Sequence, residues 1–252
     1  MVWLQGQTAV VTGGSRGLGR GVVEALASAG VRVVAVARDA GHLARLREEV
    51  RGDVQTVQAD AASAVAAAQI LSRERPRVLV LNAGAIGVTR PTAKQTWETF
   101  SQYLEVDLRS VFNWTREALV LPLEKGSRIV IVSSVGAIRA SPASANYAAA
   151  KAAIWSFARC VASAAQEAGI RVHCVLPGLS PDTQLGGLAL QTLAKAAGLS
   201  EDDFVERRQM KPFVTPGLMG KQVLEILTGP AHEATVSFRI NGRGLEPLPE
   251  MG

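Results

Sequence analysis

The sequence predicts a doubly wound α/β domain, a seven-stranded parallel sheet with helices on both faces. Three observations carry this. Short β-branched apolar runs recur along the 252 residues, and Ala-rich stretches of helical length separate them. The runs are apolar at consecutive positions, as strands buried on both faces must be.

The first strand is Thr8 to Val11, followed by a glycine-rich turn and a helix from Gly17 to Ala29. Arg32 to Ala37 reads as the second strand, Ala40 to Val50 as a helix, and Val54 to Gln58 as the third strand. A helix over Ala61 to Arg73 returns the chain to a fourth strand, Val78 to Leu81. A long helix, Thr99 to Leu121, precedes the fifth strand, Arg128 to Val132, and another, Ala145 to Ala168, precedes the sixth, Arg171 to Leu176. Pro216 to Leu227 and Val236 to Ile240 close the pattern as helix and strand. No Pro/Gly/Ser-rich linker or internal repeat divides the chain, so one domain over residues 1–252 is expected. The one departure, at about 178–215, leaves the sixth strand at the edge where doubly wound sheets bind ligands, and reads as a substrate lid. A helical pair that only packs is its structural alternative.

Composition removes several function classes. With 48% hydrophobic and 19% charged residues the chain has material for a core and is not of a disordered type. Three His and two Cys offer no clustered ligand set for a metal and no disulfide scaffold. Two separated cysteines fit a reduced compartment. No run of about 18 apolar residues and no basic leader appears, so neither membrane nor export is expected and a cytoplasmic location is. A net charge of +5 with scattered basic residues gives no nucleic-acid signature.

Thr12-Gly13-Gly14-Ser15-Arg16-Gly17-Leu18-Gly19 lies between the first strand and its helix. Glycines there let the backbone approach a pyrophosphate and aim helix N-terminal amides at its charge. A P-loop is excluded, because Arg20-Gly21 stands where Lys and Ser/Thr are required. An NAD site places an acid at the end of the second strand, whereas Arg38 follows that strand here. Arg16 and Arg38 then suit a 2′-phosphate, which favours NADP(H) over NAD(H), unless Arg38 is an ordinary surface residue. Asp60, past the third strand, is placed either to accept from an adenine amino group or to cap the next helix.

Tyr147 precedes Lys151 by one helical turn, so phenol and ammonium share a face. A nearby cation favours phenolate, drawing a phenol that ordinarily titrates at about 10 toward general acid/base work. Ser134, after the fifth strand, is placed to hydrogen-bond a substrate oxygen.

Together these motifs resemble the short-chain dehydrogenase/reductase family, in the style of ketoacyl-carrier-protein reductases and related carbonyl reductases. The resemblance runs from Gly6 to Gly178. It rests on Thr12 to Gly19, Asn82-Ala83-Gly84, Ser134, Tyr147-x-x-x-Lys151 and Pro177-Gly178, in the family's order. It implies a Rossmann-type fold and hydride transfer between a nicotinamide and a carbonyl or alcohol. Tyr147 would give or take the proton, Ser134 would polarise the carbonyl, and Lys151 would hold the nicotinamide ribose. It also implies cofactor contacts from Gly13, Ser15, Arg16, Gly17, Leu18, Gly19, Arg38, Asp60, Ala61, Asn82, Ala83 and Gly84, from Tyr147 and Lys151, and from Pro177, Gly178 and Ser180. Asn82 and Pro177-Gly178 also read as turn-formers. A homodimer or homotetramer through the two long helices is implied as well.

Two positions depart from the family pattern. Asp107 replaces its helical Asn, whose backbone carbonyl holds a relay water, so Asp can still serve, although a buried carboxylate near Lys151 would alter the local electrostatics; Asp182 stands where Thr is usual, with Thr183 one residue later. A dinucleotide-binding regulator without catalysis is the alternative that these departures motivate.

Overall fold

In a computed structural model, residues 3–121 and 123–249 are described; residues 1–2, 122 and 250–252 of the expected 1–252 span lie outside them. The strands are β1 (Thr8–Thr12), β2 (Arg32–Ala37), β3 (Val54–Gln58), β4 (Val78–Leu81), β5 (Arg128–Val132), β6 (Arg171–Pro177), β7 (Ser237–Asn241) and β8 (Gly244–Pro247). They form one sheet in the order β3-β2-β1-β4-β5-β6-β7-β8, parallel except for the final β7–β8 pair. The doubly wound parallel sheet is as the sequence predicts. An antiparallel eighth strand is added by the hairpin through Asn241 and Gly244, whose polar, half-exposed sequence carries no strand signal.

Strand interiors sort by parity, as a pleat demands. Ala9, Val11, Val33, Ala35, Val78, Val80 and Val130 enter one core layer, beneath α1 (Gly17–Ser28), α2 (Ala40–Glu49) and α9 (Pro216–Thr228). Val10, Val34, Val36, Leu79, Leu81, Ile129 and Ile131 enter the other, beneath α3 (Ala64–Glu74), α5 (Arg109–Val120) and α6 (Ala145–Glu167). Helices α1 and α9 cross at backbone contact: a Cβ on Gly21 would lie 1.9 Å from the Pro216 carbonyl oxygen.

The expected helix over Thr99 to Leu121 is interrupted. It comprises α4 (Trp97–Tyr103), a π turn over Leu104–Leu108 and α5. A π turn inserts extra backbone per turn and re-aims the side chains it carries, among them Asp107. The 178–215 segment forms α7 (Gln184–Ala196) and α8 (Glu201–Arg207) around a small cluster of Leu190, Ala194, Phe204 and Val205, separate from the two main layers. Among the described residues no helix is long and apolar enough to cross a membrane.

Register fixes where the site forms. Thr12 is level with Leu81, Leu81 with Ile131, and Val132 with Val175. The segments beginning at Gly13, Asn82, Ser133 and Gly178 therefore leave the sheet along one carboxyl edge. The strand order reverses between β1 and β4, which is where this architecture opens a crevice.

Candidate active site

The glycine loop is built against the β4 loop. The Thr12 hydroxyl donates to the Val80 carbonyl (3.4 Å) and accepts from the amides of Asn82 (3.1 Å) and Ala83 (3.2 Å). Asn82 Nδ2 donates to the carbonyls of Thr12 (3.3 Å) and Gly13 (3.1 Å). Gly19 is required by close approach, since a Cβ there would lie 2.2 Å from the Gly13 carbonyl oxygen and 2.3 Å from Asn82 Nδ2. Helix α1 starts at Gly17, whose φ is 56°, and no side chain caps its first turn. Its first amides are thus left to an anion or to water.

Ser15 is buried, Leu18 half-buried and Arg16 exposed. The Arg16 guanidinium donates to Gln184 Oε1 at the start of α7, and Gly17 faces Thr183, so the 178–215 segment meets the glycine loop. Arg38 is exposed just past β2, its carbonyl accepting from Gln58 Nε2 (3.0 Å). Asp60 does not cap α3; Ser63 does, while Asp60 accepts from the Ala62 amide (3.0 Å) in the preceding turn. Ala61 is buried and its carbonyl accepts from Trp114 Nε1 (2.9 Å). These last three residues lie at the far end of the carboxyl edge, apart from the tyrosine.

Ser134, Tyr147 and Lys151 come together. The Ser134 hydroxyl oxygen accepts from the Gly136 amide (3.0 Å), which leaves its proton free to be donated elsewhere. Gly136 lies between Ser134 and the Tyr147 ring: a Cβ there would sit 3.4 Å from Ser134 Oγ and 3.1 Å from the ring. Lys151 is buried and anchored through its carbonyl, which accepts from Ser133 Oγ (2.7 Å). Its ammonium lies 5.6 Å from the Tyr147 ring centroid.

Asp107 contributes through its side chain, a buried carboxylate beside Lys151 as the sequence suggests, and not only through the backbone carbonyl that the family pattern implies. Oδ2 lies 2.9 Å from Lys151 Nζ, both groups being buried, and Oδ1 accepts from the Ala85 amide (2.7 Å). Burial pulls the Lys151 pKa down, but the Asp107 carboxylate and the Tyr147 oxygen more than offset this, so the ammonium is held above its ordinary value. Gly84 abuts the same carboxylate.

Tyr103 was missed, although it stands one turn before Asp107. Its ring meets Tyr147 edge-on at 5.2 Å, and its hydroxyl donates to the Gly87 carbonyl and accepts from the Gly87 amide, both at 3.1 Å. Burial is the main cause of its pKa being pushed up to about 12. With Gln102 accepting from the Val88 amide (3.1 Å) and Asn146 donating to the Val88 carbonyl (2.8 Å), the β4 loop is stitched to the helices behind the tyrosine.

Past β6, Pro177 is the last strand residue and the Gly178 amide donates to the Ile240 carbonyl (2.8 Å). Ser180 is buried and its hydroxyl has no partner. Thr183 is fully used as the cap of α7, donating to the Ser180 carbonyl (2.8 Å) and accepting from the Gly186 amide (3.1 Å). Asp182 is exposed.

The model of the short chain dehydrogenase family matches residues 7–192. The chain is 34% identical over 190 residues to a 3-oxoacyl-[acyl-carrier-protein] reductase of Synechocystis, a match covering 71% of this chain and 76% of that protein. The solved structure of an actinorhodin polyketide ketoreductase with NADPH superposes with a TM-score of 0.83 at 23% identity, covering 94% of this chain and 96% of that one. A 3-ketoacyl-(acyl-carrier-protein) reductase from Brucella melitensis complexed with NADH gives 0.78 at 24% identity, covering 95% and 98%. By the family match and the Synechocystis relative, with motifs assembled along one carboxyl edge, this chain belongs to the short-chain dehydrogenase family of oxidoreductases.

Proposed function

We propose that the chain is an NADPH-dependent carbonyl reductase in which Tyr147 is the proton donor. The observation that carries this reading is the convergence of Ser134, Tyr147 and Lys151 beside an uncapped, glycine-entered helix N-terminus. Those residues fit a dinucleotide: the free first-turn amides of α1 suit a pyrophosphate, and the orphaned, buried Ser180 hydroxyl, in the turn whose Thr183 faces Gly17, offers a further hydrogen bond. We assign the holding of the cofactor to the fifteen loop and strand-end residues from Gly13 to Gly84 and Pro177 to Ser180 that the sequence singles out, with Lys151 on the ribose.

The bound dinucleotide supplies the hydride. This chain's own residues supply orientation and the proton. Ser134 Oγ, fixed as an acceptor by Gly136, points its proton at the substrate oxygen, and Tyr147 Oη delivers the proton that makes it a hydroxyl. Ammonium donors of Lys151 not engaged by Asp107 remain for ribose hydroxyls. Arg16 and Arg38, with Arg38 directly after β2 and the next residue, Asp39, turned away to cap α2, support NADPH over NADH. The α7–α8 segment is read as the substrate lid, since it meets the glycine loop through Arg16 and Gln184 yet has its own apolar cluster. The exposed Phe112 on α5, beside Phe157 of α6, supports a homodimer or homotetramer through these helices.

The test is NADPH oxidation with cyclohexanone, ethyl acetoacetate, 2,3-butanedione and dihydroxyacetone, for wild type and Tyr147→Phe. Turnover of at least one carbonyl by wild type, lost in Tyr147→Phe with NADPH binding retained, is expected. NADPH binding with no turnover in the panel would favour the regulator instead.

A further inference from the structure

A carboxylate at position 107 changes what the lysine can do for the tyrosine. In the apposed cluster, Lys151 Nζ lies 5.6 Å from the Tyr147 ring centroid and 2.9 Å from Asp107 Oδ2. Asp107 is 1% exposed and Lys151 5%, so little water screens either charge. Each Asp107 oxygen meets an N–H donor, Lys151 on one side and the Ala85 amide on the other. An ammonium alone would present a full positive charge to the phenol. Paired with a carboxylate in contact, it presents a dipole, whose field at the phenol is smaller.

The other groups packed on the cluster do not restore that charge. Tyr103, on α4, faces Tyr147 edge-on but is neutral, its hydroxyl committed to Gly87 and its pKa pushed up to about 12 chiefly by burial. Cys174, on β6, is buried and likewise neutral, its thiol pushed up to about 12 by the same cause. Ser133 and Ser134, after β5, carry no charge.

Resting on the reading of Tyr147 as the proton-transfer group, we propose that Asp107 is a positioning residue that sets the working direction. By offsetting the charge of Lys151 it withholds stabilisation of the phenolate, so that the site gives a proton to a carbonyl more readily than it takes one from an alcohol. In reduction, the Tyr147 O–H bond breaks as the alcohol O–H forms, while the hydride carries two electrons to the carbonyl carbon; the phenolate left behind regains a proton from water. Oxidation needs that phenolate beforehand, with the alcohol proton passing to it as the hydride leaves. The ion pair favours the first starting state over the second.

The experiment takes whichever panel carbonyl wild type reduces fastest, together with its alcohol. Both directions are measured from pH 6 to 10 for wild type and Asp107→Asn, which keeps the shape and the acceptor for Ala85 but removes the charge. Wild type is expected to reduce at least about tenfold faster than it oxidises at pH 7, under saturating NADPH or NADP. In Asp107→Asn the rise of oxidation with pH should move down by about one unit, speeding oxidation about tenfold at pH 7. A rise that stays in place overturns the directional role. A readout independent of turnover is the melting of Asp107→Asn, Lys151→Met and the double variant. Each single change strands a buried partner, so the double variant should lose less than the sum of the two single losses. Additive losses remove the ion pair. A wild type inactive in both directions, with non-additive melting, removes the catalytic reading and the directional proposal but not the pair.

Discussion

Each of the two phenols of the chain has a partner set that decides its use. Tyr103 is buried, and its hydroxyl is saturated by the backbone of Gly87. Replacing it with Phe keeps the edge contact with Tyr147 but strands the Gly87 groups. About 1–3 kcal/mol of stability should be lost in urea titrations, with turnover reduced less than about tenfold. Tyr147→Phe, by contrast, should lose about two to four orders of magnitude in rate. At the other end of the crevice, Arg38→Ala should weaken NADPH binding about tenfold by fluorescence titration and leave NADH nearly unchanged, the difference expected for one charge-assisted contact to a phosphate. Tyr147 and Lys151 were legible in the sequence because one helical turn joins them. That Asp107 would put a carboxylate near Lys151 was legible too, but not that the two pair directly, because they lie on different helical segments and only the fold brings them within 2.9 Å.

The turn from β1 to α1 works because Gly19 leaves to the Gly13 carbonyl and the Asn82 side-chain amide the space that a Cβ would fill. Gly19→Ala would place a methyl 2.2 Å from that carbonyl oxygen, and since both neighbours are held by the sheet, the loop must move. Differential scanning fluorimetry should report about 1–3 kcal/mol of destabilisation, and NADPH binding should be lost or greatly weakened. That the turn would be glycine-rich and followed by a helix was readable from residue order. The π turn at Leu104–Leu108 was not, because the sequence there is compatible with a continuous α-helix and the interruption is sustained by tertiary contacts, Asp107 with Ala85 and Lys151. Strand β8 escaped for a related reason: its residues are half-exposed, and only pairing with β7 makes them a strand.

At the scale of the whole molecule, the two ends of the sheet differ in chemistry. Away from the carboxyl edge, β6 buries His173, whose Nδ1 lies 2.9 Å from the Thr235 carbonyl while Nε2 has no partner. Burial, reinforced by the charges of Arg128 and Arg171, lowers its pKa from 6.5 to about 4. The unfolded chain therefore binds a proton on acidification before the folded one does. This contribution to stability is complete above about pH 6.5 and declines as pH falls toward 4. Urea unfolding at pH 5 should show about 2 kcal/mol less stability from this residue than at pH 7.5, and His173→Gln should remove that part of the pH dependence. The sequence could supply the strand that holds His173, but not the positive neighbours that keep it neutral, which come from β5 and from the start of β6.

The carboxyl edge is where the account must stand, since it claims that the crevice moves a hydride to a carbonyl while Tyr147 moves the proton. The most direct measurement is transfer of label: NADPH carrying deuterium at nicotinamide C4, on the face that is used, is incubated with wild type and with Tyr147→Phe, and the product alcohol is examined by mass spectrometry. The account predicts one deuterium on the former carbonyl carbon with wild type and none above background with the variant, both proteins binding NADPH. Unlabelled alcohol from wild type, or undiminished labelled alcohol from Tyr147→Phe, would contradict it.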